Sequence, residues 1–186
     1  MAQIDTIGLV EVSSIAAGFR VQDAMLKSAP VERLLARSIC AGKFLVAVAG
    51  DVASVRASVA AGAAVAEGTL IEQGVLSRIH PSIFPALGQS VEVEPSPSMA
   101  LGVVETFSAA SIIGAADAAA KGAPVTLLRL QLAMAMGGKG FALLVGDQAS
   151  VESAVEAAAA FAAGHGVLVG KVVIPNPAPE LLQEFI

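Results

Sequence analysis

The sequence contains no tryptophan, no tyrosine and one cysteine, and charged residues make up only 15% of its 186 positions. One cysteine cannot form an internal disulfide, and seven phenylalanines as the only aromatic residues offer few surfaces on which nucleic-acid bases could stack. The net charge of -5 also lacks the clustered lysine and arginine of a nucleic-acid footprint. The longest stretch without a charged residue, Ala157 to Gly170, is too short for a transmembrane helix. We therefore expect neither a nucleic-acid partner nor a membrane.

Small apolar residues are what the chain has in excess. Hydrophobic residues make up 55% of the sequence and the mean hydropathy is +0.76, with 38 alanines and 18 glycines. Ordinary soluble domains carry about 25% charged residues, so the charge here is too sparse to cover an isolated globule. Apolar surface that does not enter a bilayer is expected to face other protein chains. The composition therefore predicts assembly, and the start of the sequence lacks the pattern of a secretory signal, which favours the cytoplasm.

An internal duplication organises the chain. Residues 7–11 (IGLVE) recur as 101–105 (LGVVE), and the Asp-Ala, Lys and Ala-Pro-Val positions of 23–31 recur in 117–125 at the same offset of 94. Gly42-Lys43 recurs as Gly138-Lys139, so the second copy has two extra residues before this point. The segment 91–98 is rich in Pro, Ser and Glu, as in an extended connector. We predict a first domain over 1–90, a linker over 91–98 and a second domain over 99–186.

Each copy has the element order βαββαβ. In the first copy the patterns predict strands over 4–12, 31–39, 44–49 and 75–79, and two helices that Ser13 or Ser14 and Asp51 cap. The first helix carries Ile15, Phe19 and Met25 or Leu26 at helical spacing. This is the ferredoxin-like order, so the predicted fold class is α+β with an antiparallel sheet backed by two helices in each domain.

The repeated strings GLVE, DAMLKSA and GKF…GDV resemble the shell domain of bacterial microcompartments, once over 7–81 and again over 101–175. Two copies in one chain resemble the tandem-domain class, in which three chains form a pseudo-hexameric ring. The string from Lys27 to Phe44 is similar to iron–sulfur shell proteins of propanediol-utilisation compartments. The resemblance implies a homotrimer that tiles with other shell proteins around enzymes in the bacterial cytoplasm, with no catalytic role of its own.

Cys40 follows the second predicted strand, in a loop that lines the central pore in this family. A [4Fe–4S] cluster is usually held by four thiolates, so one cysteine per chain could serve only if a three-fold axis supplied three. The resemblance implies one such cluster per trimer, with electron transfer across the shell. The alternative is that Cys40 is a small buried apolar residue. Relatives tend to carry proline after the cysteine, whereas this chain has Ala41, so we expect a less rigid turn.

Two further groups of positions take their roles from the resemblance. Lys27 and Lys121 are expected at the edge of the tile, and so is Arg78 in the segment 78–81, whose second-copy counterpart is read as 173–175. The residues expected in the two pore loops are Ser38, Ile39, Ala41, Gly42, Met134, Met136, Gly137 and Gly138. Met136 takes the place of Cys40 in the second copy.

Two other functions remain open at this point. A plain tandem tile would pass metabolites through its pore and keep Cys40 as a thiol, whereas a trimeric ferredoxin-like regulator would bind a metabolite and form no sheets. Glu11 and Glu105 are paired carboxylates at equivalent positions, but no histidine or nucleophile accompanies them. We expect them to make structural polar contacts. His80 is expected at the surface, because no second ligand is spaced to share a metal with it. An encapsulated or cytosolic redox protein is a further expected partner of the cluster-bearing trimer.

Overall fold

The computed structural model of the chain describes residues 5–94, 96, 98–133 and 137–183. The described residues form two compact units, one within 5–79 together with 133, 137 and 138, and the other within 80–132 and 139–183. The segment from His80 to 90, which the repeat assigns to the first domain, therefore packs with the second unit. No helix among the described residues is long and apolar enough to cross a membrane.

The first repeat has the predicted element order. Its elements are β1 (Thr6–Val12), α1 (Ile15–Ser28), β2 (Glu32–Ile39), β3 (Lys43–Gly50), α2 (Val52–Val65) and β4 (Leu70–Ser77), followed by the short helix α3 (Ile83–Leu87). The strands form an antiparallel sheet in the order β2-β3-β1-β4. The βαββαβ prediction is confirmed, although β4 begins five residues before the predicted Val75. β4 also ends at Ser77 rather than Ile79, because Arg78 has a positive φ of 52° that leaves the extended conformation.

The second repeat has the same architecture. Its elements are β5 (Ala100–Thr106), α4 (Ala109–Gly122), β6 (Thr126–Leu132), β7 (Gly140–Gly146), α5 (Gln148–Gly164), β8 (Leu168–Pro175) and the short helix α6 (Pro179–Gln183). The strand order β6-β7-β5-β8 repeats that of the first sheet. Gly8 pairs with Val48 in one sheet and Gly102 with Leu144 in the other. The strands of the two sheets are thus paired in equivalent registers.

Side-chain caps start the four long helices. Ser14 accepts a hydrogen bond from the N–H of Ala17, and Asp51 accepts from the N–H groups of Ala53 and Ser54. Ser108 and Asp147 cap α4 and α5 in the same way. Each cap satisfies N–H groups that have no partner within the helix, which is why these polar residues mark the predicted starts.

Small residues let the helices lie close to the sheets. A Cβ on Gly8 would come within 2.6 Å of Val59, and one on Gly18 within 2.2 Å of the Phe44 ring. The buried face of α1 consists of Ala17, Gly18, Val21 and Met25. Ile15 and Phe19 carry the predicted apolar spacing yet lie outside this face, 44% and 63% exposed. Close packing onto β3 selects the small residues for the buried side.

Candidate functional site

The turn that carries Cys40 connects β2 to β3. Ile39 pairs with Lys43 at the end of the two strands, so the residues 40–42 alone make the reversal. Ala41 and Gly42 have φ values of 63° and 71°, a left-handed region that alanine enters at a cost and glycine enters freely. Proline cannot adopt such a φ, so Ala41 gives the turn a conformation that a proline at this position would exclude. Ser38 and Ile39, which we predicted as loop residues, are the last two residues of β2.

Cys40 is half-buried, and its backbone is fixed against the second predicted pore loop. The Cys40 N–H donates to the carbonyl of Ala133 at 2.8 Å. A Cβ on Gly138 would lie 3.7 Å from the Cys40 carbonyl oxygen, so the two turns are in contact within the first unit. Gly137 and Gly138 have φ values of 61° and 89°. Met134 and Met136 lie outside the described residues.

A buried ion pair lies next to these turns. Lys43 Nζ is 2.9 Å from Oε1 of Glu11, whose side chain is fully buried, and 3.3 Å from the position of a Cβ on Gly138. In the second repeat Lys139 pairs with Glu105 at 2.6 Å, but both side chains are about one-third exposed. The structural contact that we expected for the two glutamates is thus an ion pair in each repeat. The sequence carried a signal for it, because Gly-Lys and Glu recur together in both copies.

The donor chemistry of the Cys40 turn fits an iron–sulfur cluster only if several chains contribute. Among the described residues, no group of three or more His, Cys, Asp or Glu side chains could hold a metal ion together. Cys40 is the one thiol of the chain, it is partly accessible, and it lies on a turn rather than inside the core. Thiolate is the ligand that these clusters use, but one per chain requires a symmetric assembly.

The predicted edge residues belong to other elements than this turn, namely two helix ends and the position after β4. Lys27 and Lys121 occupy the last turns of α1 and α4 and pair with Asp23 and Asp117, four residues earlier in each helix. Arg78 is exposed directly after β4.

The structure corrects the second-copy counterpart of Arg78. Ser77 pairs with Thr6, and Pro175 pairs with Ala100, which is the equivalent of Thr6. Arg78 therefore corresponds to Asn176, which has a similar φ of 47°, and not to Val173. The prediction aligned the two copies by similar residue types, whereas the strand pairing takes account of the additional residues in the second copy. The second copy still lacks arginine at this place.

His80 is half-buried and hydrogen-bonded. Its Nδ1 lies 2.7 Å from Oγ of Ser82, and its backbone N–H donates to Oδ1 of Asp117 at 2.7 Å. The expectation that His80 is a surface residue is therefore only partly met. The contact with Asp117 is one that the sequence analysis missed.

Comparisons with known proteins agree with the fold and the duplication. The BMC domain family matches residues 6–79 and 100–177. The chain is 41% identical over 180 residues to the bacterial microcompartment shell protein PduT of Citrobacter freundii, covering 97% of each protein. It matches the crystal structure of a microcompartment protein from Desulfitobacterium hafniense DCB with a TM-score of 0.86 and 45% identity, over 97% of this chain and 99% of that one. A fused permuted hexameric shell protein, MSM0275 of the RMM microcompartment, shares the fold with a TM-score of 0.66 and 23% identity over 85% and 81% of the two chains. The two four-stranded units are thus two BMC domains, and the chain belongs to the family of bacterial microcompartment shell proteins.

Proposed function

We propose that this shell protein works as a homotrimer whose central pore holds one [4Fe–4S] cluster for electron transfer across the shell. The observation that carries the proposal is the position of Cys40, partly exposed on the short turn between β2 and β3 and adjacent to the second pore turn. A thiol on an exposed turn can meet its symmetry mates without any change in the core.

The count of thiolates links the cluster to the trimer. A [4Fe–4S] cluster has four irons, and three chains supply one thiolate for each of three of them. The fourth iron then takes a ligand other than cysteine, such as solvent. When bound, the cluster would supply one-electron exchange, while each chain contributes one thiolate, on Cys40, and the tight turn that orients it.

The proposal also covers partners. Six BMC domains in a ring of three chains would present the outline of a hexameric tile, which can pack beside other microcompartment shell proteins. Such relatives include PduA and EutM, which match one half of this chain at 34% and 38% identity. A redox protein on one side of the shell would exchange electrons with the cluster.

Replacement of Cys40 tests the cluster directly. The anaerobically reconstituted parent should bind about four irons per trimer, absorb broadly in the visible range and give an EPR signal in one redox state. Cys40→Ser should lose all three signals yet keep its fold and its trimer mass, because the side chain lies on a turn outside the core. Ser28→Ala, at the end of α1 and outside both predicted pore loops, is the control and should keep the iron.

The same experiment discriminates the alternative functions. Iron at background in the parent would refute the redox role and leave a tandem tile with a metabolite-conducting pore. Membership of the shell-protein family already favours a tile over the trimeric ferredoxin-like regulator.

A further inference from the structure

The two repeats keep the same ion pair in different surroundings. Lys43 pairs with Glu11 in the first repeat, and Lys139 pairs with Glu105 in the second. The Glu11 side chain is fully buried and Lys43 keeps 18% of its own exposed, whereas Lys139 and Glu105 are 36% and 35% exposed. Water and salt therefore screen the charges of the second pair far more than those of the first.

The ammonium group of Lys43 lies where the turn that carries Cys40 meets the turn at Gly138. Apart from the chain neighbours of Gly138, the atoms nearest to a Cβ placed on it are Nζ and Cε of Lys43, at 3.3 and 3.4 Å, and the Cys40 carbonyl oxygen, at 3.7 Å. The Glu11 carboxylate, 2.9 Å from Nζ, is not among them. All four residues belong to the first unit. The positive member of the pair is thus the one that meets the cysteine turn.

Two further charged side chains share the sheet face of Glu11. Glu72 pairs directly with Glu11 across β1 and β4, and Arg37 pairs with Leu45, which is the other neighbour of Glu11. Residues paired in this way place their side chains on one face. Arg37 is exposed and Glu72 is half-buried, so Lys43 is the less exposed of the two cations. Because these four charges balance, the charge nearest to the cysteine turn decides the local field.

We infer that Lys43 holds a positive charge against the Cys40 turn, and that this charge raises the reduction potential of the cluster that three Cys40 thiolates bind. Reduction by the proposed redox partner adds one electron to the cluster and neither forms nor breaks a bond, so the reduced state has one more negative charge. A poorly screened cation stabilises that state more than the oxidised one. Net charge is one of the factors that set the potential of iron–sulfur clusters. The inference rests on the proposed function and adds to it a residue that tunes the cluster.

The charge can be measured at Cys40 before any cluster is assembled. In the cluster-free protein the Cys40 thiolate attacks an aromatic disulfide, forms a mixed disulfide and releases one aromatic thiolate. The rate with dianionic dithiobis(nitrobenzoate), divided by the rate with neutral dithiodipyridine, reports the local field, because the same thiolate attacks both reagents. The ratio should fall several-fold in Glu11→Gln/Lys43→Met and stay near that of the parent in Lys43→Arg. The double variant is chosen because it leaves no buried carboxylate without its ammonium partner.

Two single variants are the matched comparisons. Glu11→Gln removes only the negative charge of the pair and should raise the ratio. Lys139→Met removes the corresponding lysine of the second repeat, whose charge water screens, and should leave the ratio near that of the parent. Circular dichroism should show the same helix content for every variant. A purely structural role of Lys43 would not give opposite changes in Glu11→Gln and in the double variant.

The midpoint potential of the reconstituted protein tests the effect on the cluster itself. An anaerobic redox titration followed by EPR should give a lower midpoint for Glu11→Gln/Lys43→Met than for the parent, and a higher one for Glu11→Gln. Lys43→Arg keeps the charge and should titrate near the parent. The midpoints should therefore follow the charge that each variant leaves beside the turn.

The outcomes separate the role of Lys43 from the proposed function. Equal reagent ratios in the parent and the double variant refute a positive charge of Lys43 at Cys40, whatever the iron content. A changed ratio with an unchanged midpoint potential refutes the effect on the cluster and leaves the cluster itself intact. A parent that binds no iron refutes the cluster and with it the effect on its potential, while the reagent ratio still decides whether the charge of Lys43 reaches Cys40.

Discussion

The ion pair between Glu11 and Lys43 gives the sharpest prediction about stability. Glu11 is fully buried and Lys43 keeps 18% of its side chain exposed, at an Nζ to Oε1 distance of 2.9 Å. Lys43→Met would leave the glutamate without the ammonium group in a place that water does not reach. Removing one partner of a buried pair typically costs about 3–5 kcal/mol, and the partial exposure of Lys43 favours the lower end.

The second repeat supplies the matched control. Lys139 and Glu105 form the same pair at the same place in the fold, but both side chains are about one-third exposed. Pairs that solvent reaches contribute only about 0–1 kcal/mol, because water and salt screen them. Lys139→Met should therefore change the free energy of unfolding far less than Lys43→Met.

Urea unfolding of the cluster-free protein at fixed concentration measures both effects. We expect a clearly lower midpoint for Lys43→Met, a midpoint near that of the parent for Lys139→Met, and partial recovery when Glu11→Gln is added to Lys43→Met. The recovery follows because the double variant no longer buries a carboxylate that has lost its ammonium partner. Equal midpoints for Lys43→Met and Lys139→Met would refute the argument from burial.

Three further perturbations have definite expected signs. Gly18→Ala should lower the thermal midpoint, because the new Cβ would lie 2.2 Å from the Phe44 ring. The cost of such overpacking, about 1–3 kcal/mol, exceeds the gain in helix propensity of about 1 kcal/mol. An unchanged midpoint would contradict this. A hydrogen bond from the Ser54 side chain, together with weaker effects of backbone N–H groups in the first turn of α2, holds the pKa of Asp51 below its ordinary value of 3.8. The contribution of the charged Asp51 to stability is therefore complete above pH 3.8 and is lost as the pH falls through the lowered pKa. The thermal midpoints of the parent and Asp51→Asn should therefore converge below about pH 4, and a constant difference down to pH 2.5 would refute the sign. Lys27→Ala with Lys121→Ala should leave the trimer intact and weaken assembly into sheets seen by electron microscopy; sheets like those of the parent would refute the edge assignment.

The sequence predicted the duplication and the element order because both depend on short, local signals. Capping residues, glycines and the Asp-Ala and Gly-Lys positions recur in order, and each has a local physical meaning. The predicted helix at residue 15 is present, but its apolar spacing did not identify the buried face. Ile15 and Phe19 are spaced as a buried pair would be, whereas the sheet accepts the smaller Ala17 and Gly18 at close range. The spacing of hydrophobic residues alone does not show which face of the helix packs against the sheet.

Contacts between residues that are distant in the sequence could not be predicted from the sequence patterns. The repeat assigns His80 to the first domain by homology, yet its backbone bonds Asp117 and its segment packs with the second unit. Similarly, Lys43 and Glu11 are far apart in sequence, and only the pairing of β1 with β3 brings them together. Recurrence in both copies marked Glu11 and Lys43 as important, but it did not show that the two side chains are partners.

The differences between the two copies explain how a duplicated chain can serve one three-fold site. A ring of six identical domains would carry six thiolates at equal distances from the axis, more than a four-iron cluster can use. In the proposed trimer the first copy supplies Cys40, the second copy has no cysteine, and three thiolates surround the axis. The same divergence distinguishes the helices, since ten residues of α4 but only four of α1 are buried. In the proposed trimer, duplication would give the tile a six-fold outline, and the divergence of the two copies would reduce the symmetry to three-fold at the cluster.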